Sequence, residues 1–208
     1  MKNKEFLDKI NVLFPNPKCE LEYQNVYQLL VAVILSAQCT DKRVNIVTRE
    51  LFKDYGTPEK MITLKQEELE KIIHSCGFYH NKAKNILAMT KMLIEKFDGE
   101  VPNDREKLQS LAGVGRKTAN VVYSEAFKGN AIAVDTHVLR VSNRLGFVKT
   151  DDPIKCERAL MEQFDDEILG KLHLQLVHFG RYICKSQKPC CEKCPFVERC
   201  KYNKKHDI

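Results

Sequence analysis

Residues 25–37 read Asn-Val-Tyr-Gln-Leu-Leu-Val-Ala-Val-Ile-Leu-Ser-Ala, a stretch that leaves almost no polar face on a helix. A helix that is apolar all round must be surrounded by other elements, so this segment belongs at the centre of a domain. It falls short of the roughly 18 apolar residues that would suggest a membrane span. No part of the chain shows sustained period-two alternation, which argues against half-buried strands. These features predict an all-α protein, and 208 residues suffice to bury a core without covalent staples.

Other helices follow from periodicity and end signals. Phe6, Leu7, Ile10, Leu13 and Phe14 form one apolar stripe, closed by Pro15 and Pro17. Thr40 and Asp41 cap a helix to about Tyr55, with Gly56 as its stop. Thr63 with Gln66, and Asn103 with Glu106, have capping-box spacing. A long helix runs from about Asn81 to Phe97, and others cover 116–127, 135–145 and 167–183. Asp152 then Pro153 reads as N-cap and first helical residue. There is no internal repeat, and the seam between domains is expected at Lys128-Gly129-Asn130.

The chemistry concentrates between residues 111 and 137. Gly113 and Gly115 flank Val114, and a helix starts at Arg116. Two glycines this close let bare N–H groups approach a ligand, and a helix start adds unpaired donors and positive potential. Lys117 lies in the first turn of that helix. Asp135 follows in Ala-Val-Asp-Thr-His, in a position to face it. Taken alone, the glycine pair is equally an ordinary turn, and lysine and aspartate a solvated pair.

Of nine cysteines, five lie within residues 184–200, and such clustering points to metal rather than to a disulfide framework. Cys184, Cys191, Cys194 and Cys200 give the spacing C-x6-C-x2-C-x5-C. Four thiolates close a tetrahedral zinc site or hold a [4Fe–4S] cluster. The spacing is neither a zinc ribbon's nor the tight ferredoxin run, and Cys190 leaves the second ligand ambiguous by one residue. The scattered Cys19, Cys39, Cys76 and Cys156 read as small buried hydrophobes. A net charge of +6 is compatible with a polyanionic partner and equally with an ordinary enzyme. Residues 1–20 lack a signal-peptide pattern, so the expected location is intracellular, cytoplasmic and nucleoid-associated.

Leu-Ala-Gly-Val-Gly-Arg-Lys-Thr-Ala-Asn-Val-Val, Val-Asp-Thr-His-Val and the cysteine spacing occur in order, and together they resemble the endonuclease III family. These are bifunctional DNA glycosylases and AP lyases of the helix-hairpin-helix superfamily. The resemblance runs from about Leu29 to Cys200. It implies two helical lobes with DNA in the cleft between them. A six-helix barrel would span 21–131, and 1–20 with 132–208 would form the cluster lobe. It further implies a [4Fe–4S] cluster held by Cys184, Cys191, Cys194 and Cys200. Lys117 matches the Schiff-base nucleophile and Asp135 the catalytic carboxylate. Gly113, Val114, Gly115 and Arg116 would hold a DNA phosphate, as would Lys188 with Lys185. Gln38 and His137 fall where the family contacts DNA near an extruded nucleotide. The implied partner is duplex DNA with an oxidised pyrimidine or an abasic site, met by a monomer with no membrane.

A base inside a duplex is out of reach, so such an enzyme extrudes the nucleotide and fills the gap; Gln38 and Phe78 are the candidates. Lys117 must be uncharged to attack the sugar, a state favoured by desolvation and by the positive end of the helix. Three positions depart from the family pattern. Ala112 replaces a proline in the hairpin, Phe78 a leucine at the wedge, and Cys190 a residue that is often basic. Adenine glycosylases share hairpin, aspartate and cluster but lack lysine at the position of Lys117. A non-enzymatic helix-hairpin-helix DNA-binding module is the other alternative, separated by strand cleavage at abasic sites.

Overall fold

The computed structural model describes residues 3–206, with side chains described through Asn203. The described residues contain helices, turns and no strand, and no described helix is long and apolar enough to cross a membrane. The chain is all-α. It divides into two compact units, Cys19–Phe127 and the flanking segments Met1–Lys18 with Lys128–Ile208.

The flanking unit begins with α1 (Lys4–Leu13). The inserted unit then holds seven helices: α2 (Val26–Leu35), α3 (Asp41–Tyr55), the single turn α4 (Pro58–Met61), α5 (Gln66–Ile73), α6 (Tyr79–Phe97), α7 (Arg105–Ser110) and α8 (Arg116–Phe127). α2 is its axis. Every residue from Tyr27 to Leu35 is buried, and α3, α6 and α8 all pack on it. Asn25 starts it by accepting from the Gln28 N–H at 2.9 Å. The buried Gln28 accepts from the Gln24 N–H at 2.8 Å and donates to the Gly56 carbonyl at 3.4 Å. A Cβ on Gly56 would stand 2.7 Å from the Gln28 amide nitrogen, so only glycine lets the end of α3 approach this closely. Tyr27 and Thr90 share a 2.7 Å hydroxyl bond between α2 and α6.

Two expected caps are displaced. Thr63 does not start α5: its hydroxyl donates to the Lys60 carbonyl, while the Glu68 carboxylate accepts from the Lys65 N–H at 2.7 Å. Asn103 yields to Asp104, which accepts from the Lys107 N–H at 2.8 Å. In both cases several polar residues compete within one turn, and the backbone course selects among them. Thr40 and Asp152 cap as expected.

The flanking unit continues with α9 (Thr136–Arg144), α10 (Pro153–Gln163), α11 (Leu169–Tyr182) and α12 (Lys201–His206), with short 3-10 turns between them. α9 and α11 form its main helix pair. Gly180 permits that contact, since a Cβ there would lie 2.8 Å from the His137 Cβ. Phe6 of α1 sits fully buried among Phe147, Phe164 and Phe196, with ring centroids 4.8, 5.9 and 5.0 Å away. The Phe6–Phe147 pair meets edge-on at 74°, a geometry that stabilises beyond burial of area alone.

Leu30 on α2 is completely buried, while Val12 on α1 is 82% exposed. Leu30→Ala is therefore expected to cost about 2–5 kcal/mol through lost contacts and a residual cavity. Val12→Ala should stay within about 0.5 kcal/mol. Urea unfolding followed by circular dichroism measures both; equal midpoints for the two variants would contradict the placement of α2.

Candidate nucleic-acid interface and cysteine centre

In the inserted unit the chain leaves α2 through Ser36-Ala37-Gln38-Cys39. Gln38 is exposed with φ +53°, a left-handed conformation. Phe78, just before α6, has φ +58° and is 63% exposed. Side chains other than glycine rarely adopt such backbone angles, and where they do the strain often marks a functional position. The two loops touch, because a Cβ on Gly77 would lie 3.8 Å from the Gln38 carbonyl oxygen. Gln38 and Phe78, the two expected gap fillers, are thus neighbours on one face of this unit.

The glycine turn joins α7 to α8. Its Val114 N–H donates to the Leu111 carbonyl at 3.1 Å, and the Gly115 carbonyl accepts the first helical bond, from the Ala119 N–H at 2.9 Å. Val114 is buried, which pins the turn to the core, and its N–H is spent on the turn rather than offered to a ligand. Gly113 is required twice over: φ is +73°, and a Cβ would stand 2.7 Å from the Asn85 Cβ of α6. Gly115 differs, since nothing lies within 4 Å of where its Cβ would be. That open side is where a ligand can approach the backbone at the start of α8, next to Arg116.

Lys117 lies in the first turn of α8, and its side chain is exposed. Among the described residues it has no hydrogen-bond or ion-pair partner. The protein itself does not supply the desolvation expected for this amine. α8 buries Ala119, Asn120, Val122 and Ser124 farther along, while Lys117 in its first turn stays exposed.

In the flanking unit Asp135 is the N-cap of α9, its Oδ1 accepting from the Val138 N–H at 2.8 Å. One carboxylate oxygen thereby fixes the helix start and leaves the other for further work. His137, one turn in, is half-buried beside Gly180. Arg140 Nη2 lies 3.2 Å from His137 Nδ1. A guanidinium can only donate, so Nδ1 accepts and the proton of the neutral ring sits on Nε2. Burial pushes the imidazole below its ordinary range, with the Asp135 carboxylate pulling in the opposite sense.

Periodicity did not single out Arg140 and Arg144, yet they organise this unit. Arg140 also donates to the Gly180 carbonyl at 2.9 Å and to the Cys184 carbonyl at 3.1 Å. Arg144 donates to the carbonyls of Lys185 and Ser186 at 2.7 and 3.0 Å and approaches Cys184 Sγ at 3.4 Å. Its guanidinium also stacks 4.0 Å over the Tyr202 ring. The only sequence signal was two arginines four apart on α9, directly downstream of Asp135.

Cys184, Cys190, Cys191, Cys194 and Cys200 line one small, partly open pocket with a cavity volume of about 20 Å³, together with Arg144, Leu145, Phe179, Ile183, Pro189 and Tyr202. Cys191 and Cys194 each feel the charges of Cys184 and Cys200, whereas Cys190 enters neither environment. Among the described residues no three His, Cys, Asp or Glu side chains converge tightly enough for a single metal ion. Cys184, Cys191, Cys194 and Cys200 thus share one space, and four thiols are a soft donor set. Lys185 and Lys188 are exposed on the loop between the first two of these cysteines, Lys188 at φ +48°. Lys193, Arg199 and Lys201 are exposed around it; Lys204 and Lys205 have side chains outside those described.

Comparison with known proteins agrees with this geometry. Residues 31–166 match the model of the HhH-GPD superfamily base excision DNA repair proteins. The endonuclease III of Bacillus subtilis (strain 168) is 51% identical, covering 100% of this chain and 95% of the relative. That of Escherichia coli (strain K12) is 41% identical over 100% of this chain and 98% of its own length. The protein of a trapped endonuclease III–DNA covalent intermediate superposes with TM-score 0.95 at 50% identity, covering 100% of this chain and 98% of that one. A thermostable thymine-DNA glycosylase gives 0.86 at 25% identity, covering 98% and 97%. With the hairpin, the following lysine, the aspartate cap and the cysteine cavity all in place along a full-length match, this chain belongs to the endonuclease III family of helix-hairpin-helix base excision DNA repair proteins.

Proposed function

We propose that the chain removes oxidised pyrimidines from duplex DNA with Lys117 as the attacking amine and then cleaves the strand at the resulting site. Membership of the endonuclease III family makes it a DNA glycosylase and AP lyase; the assignment of steps to residues is our reading. The observation that carries it is the hairpin, whose open Gly115 is followed two residues on, in the first turn of α8, by an exposed lysine with no partner among the described residues.

The chemistry follows from these side chains. Uncharged Lys117 Nζ attacks C1′ of the extruded nucleotide, the glycosidic bond breaks, and its electron pair leaves with the base. The attached amine gives a proton to the departing base, and the C1′–O4′ bond opens with O4′ taking up a proton. The iminium so formed acidifies the C2′ proton, whose loss expels the 3′ phosphate. Because Lys117 is exposed in the protein alone, the dry surroundings that favour a neutral amine come from bound DNA. Asp135 carries the negative charge that stabilises positive charge developing on the sugar. The N–H donors at the start of α8 and Arg116 hold a phosphate without reading sequence. His137 offers its Nε2–H to the backbone near the lesion, and Lys188 a charge to a neighbouring phosphate. Gln38 and Phe78 fill the gap left by the nucleotide.

Cys184, Cys191, Cys194 and Cys200 would hold a [4Fe–4S] cluster. When bound it is a structural clip, closing the Lys185–Cys190 loop and fixing Lys188 on it. Arg144 supports the same loop at the Lys185 and Ser186 carbonyls and touches the Cys184 sulfur just before it.

Borohydride reduction of a reaction on abasic-site duplex should trap a covalent protein–DNA complex, and Lys117→Gln should abolish it. Full trapping by that variant would remove Lys117 from the mechanism. The purified chain should show visible absorbance and about four irons per molecule. Cys191→Ala should lose both while Cys190→Ala keeps them; one zinc and no colour would overturn the cluster. DNA binding should weaken linearly on a log–log plot of affinity against salt, with a slope of about −0.9 for each phosphate neutralised. A flat response would remove the phosphate contacts at the hairpin and at Lys188.

A further inference from the structure

Lys82 is the one buried lysine among the described residues, 6% exposed in the first turn of α6. Its Nζ donates to the Leu35 carbonyl at 2.8 Å and to the Ala37 carbonyl at 2.7 Å. These oxygens belong to the C-terminal end of α2 and its exit turn, where carbonyls lack helical partners and a cation is favoured. The backbone N–H of the same residue donates to the Phe78 carbonyl at 3.1 Å. One residue therefore grips the carbonyl just before Gln38 with its side chain and the carbonyl of Phe78 with its backbone. Both gripped loops carry left-handed residues, Gln38 at φ +53° and Phe78 at φ +58°. Strained backbone of this kind persists only where its surroundings over-determine it.

We propose that Lys82 is a positioning residue for nucleotide extrusion, holding the Gln38 and Phe78 loops as one rigid wedge. The assignment rests on the proposed gap-filling role of those two residues. Among the described residues the ammonium has no carboxylate partner at hydrogen-bond distance, which makes its burial costly. Burial pulls its proton affinity down, and the Cys76 and Cys39 thiols beside it act the other way. Those thiols reinforce the junction: Cys76 is hydrogen-bonded to Cys39, and burial together with that bond pushes it up to about 12. The two cysteines follow Gln38 and precede Gly77-Phe78 in the chain, so each gripped loop is fastened at a second point. A merely stabilising role would be met more cheaply by an apolar side chain of similar length, because no charge would need to be buried.

The test compares Lys82→Met and Lys82→Arg with the unaltered full chain on two substrates. The first is a duplex with dihydrouracil opposite guanine, where the base must be unpaired and the stack filled. The second is an abasic site in a single strand, where nothing leaves a stack. Single-turnover excision from the duplex should fall about tenfold or more in Lys82→Met, since unstacking costs a few kcal/mol that the wedge offsets. Borohydride trapping on the single strand should stay within about threefold, because Lys117 is untouched. Lys82→Arg, which keeps donors at this site, should recover part of the duplex rate. Equal losses on both substrates, or no loss on the duplex, would overturn the proposal. Should Lys82→Met not fold, Lys82→Gln, with two N–H donors on a shorter arm, takes its place. If that also fails to fold, Lys82 is a stability residue and the positioning role is wrong. An unaltered chain that neither excises nor traps would instead sink the proposed function itself.

Discussion

The complete burial of α2 is the constraint to which the inserted unit answers. Apart from Gln28 its buried side chains are apolar, so it needs neighbours all round. α3, α6 and α8 supply them. The consequence for function lies at its C-terminal end. A buried helix must still find partners for its last carbonyls. Ser36 and Ala37 meet those of Ala32, Val33 and Ile34. Lys82, a cation projecting from α6, meets those of Leu35 and, just beyond the helix, Ala37. The same contact that completes the helix fixes the turn carrying Gln38. Core packing and the presentation of the Gln38 loop are one arrangement.

In the flanking unit arginine does comparable work. Arg140 joins the His137 ring, the end of α11 and the Cys184 carbonyl, and Arg144 fastens the loop between the first two cysteines. Both project from the helix that Asp135 caps. The orientation of the aspartate cap and the placement of the cysteine loop are thereby mechanically linked, since one helix carries both. A guanidinium suits this task because its planar fork satisfies several carbonyls at once.

The three departures from the family pattern fall at sites of different tolerance. Ala112 adjoins a turn already held by buried Leu111 and Val114, so proline's restriction of the unfolded chain, about 0.4–1 kcal/mol, is the main loss. Phe78 presents a larger ring than leucine at a loop 63% exposed, where nothing within the protein opposes it. Cys190 lines the cysteine cavity without sharing the environment of Cys191 and Cys194. It bears on charge near the loop more than on the donor set.

Much of this protein was legible before any coordinates. Helical periodicity located the long helices, Gly113 and Gly115 marked the hairpin, and the cysteine spacing marked the donor set, because each is encoded by residues near one another in the chain. The caps of α5 and α7 were misread by one or two residues, since Thr63 and Asn103 have polar neighbours that serve equally well locally. The hold of Lys82 on Leu35 and Ala37, the locking of His137 by Arg140, and the exposure of Lys117 were decided only by tertiary structure. The carbonyls that Lys82 satisfies lie more than forty residues from it in sequence, and no local pattern records such a meeting. Local periodicity says which residues form a helix; only packing says which side chains are left to face one another, and which to face water.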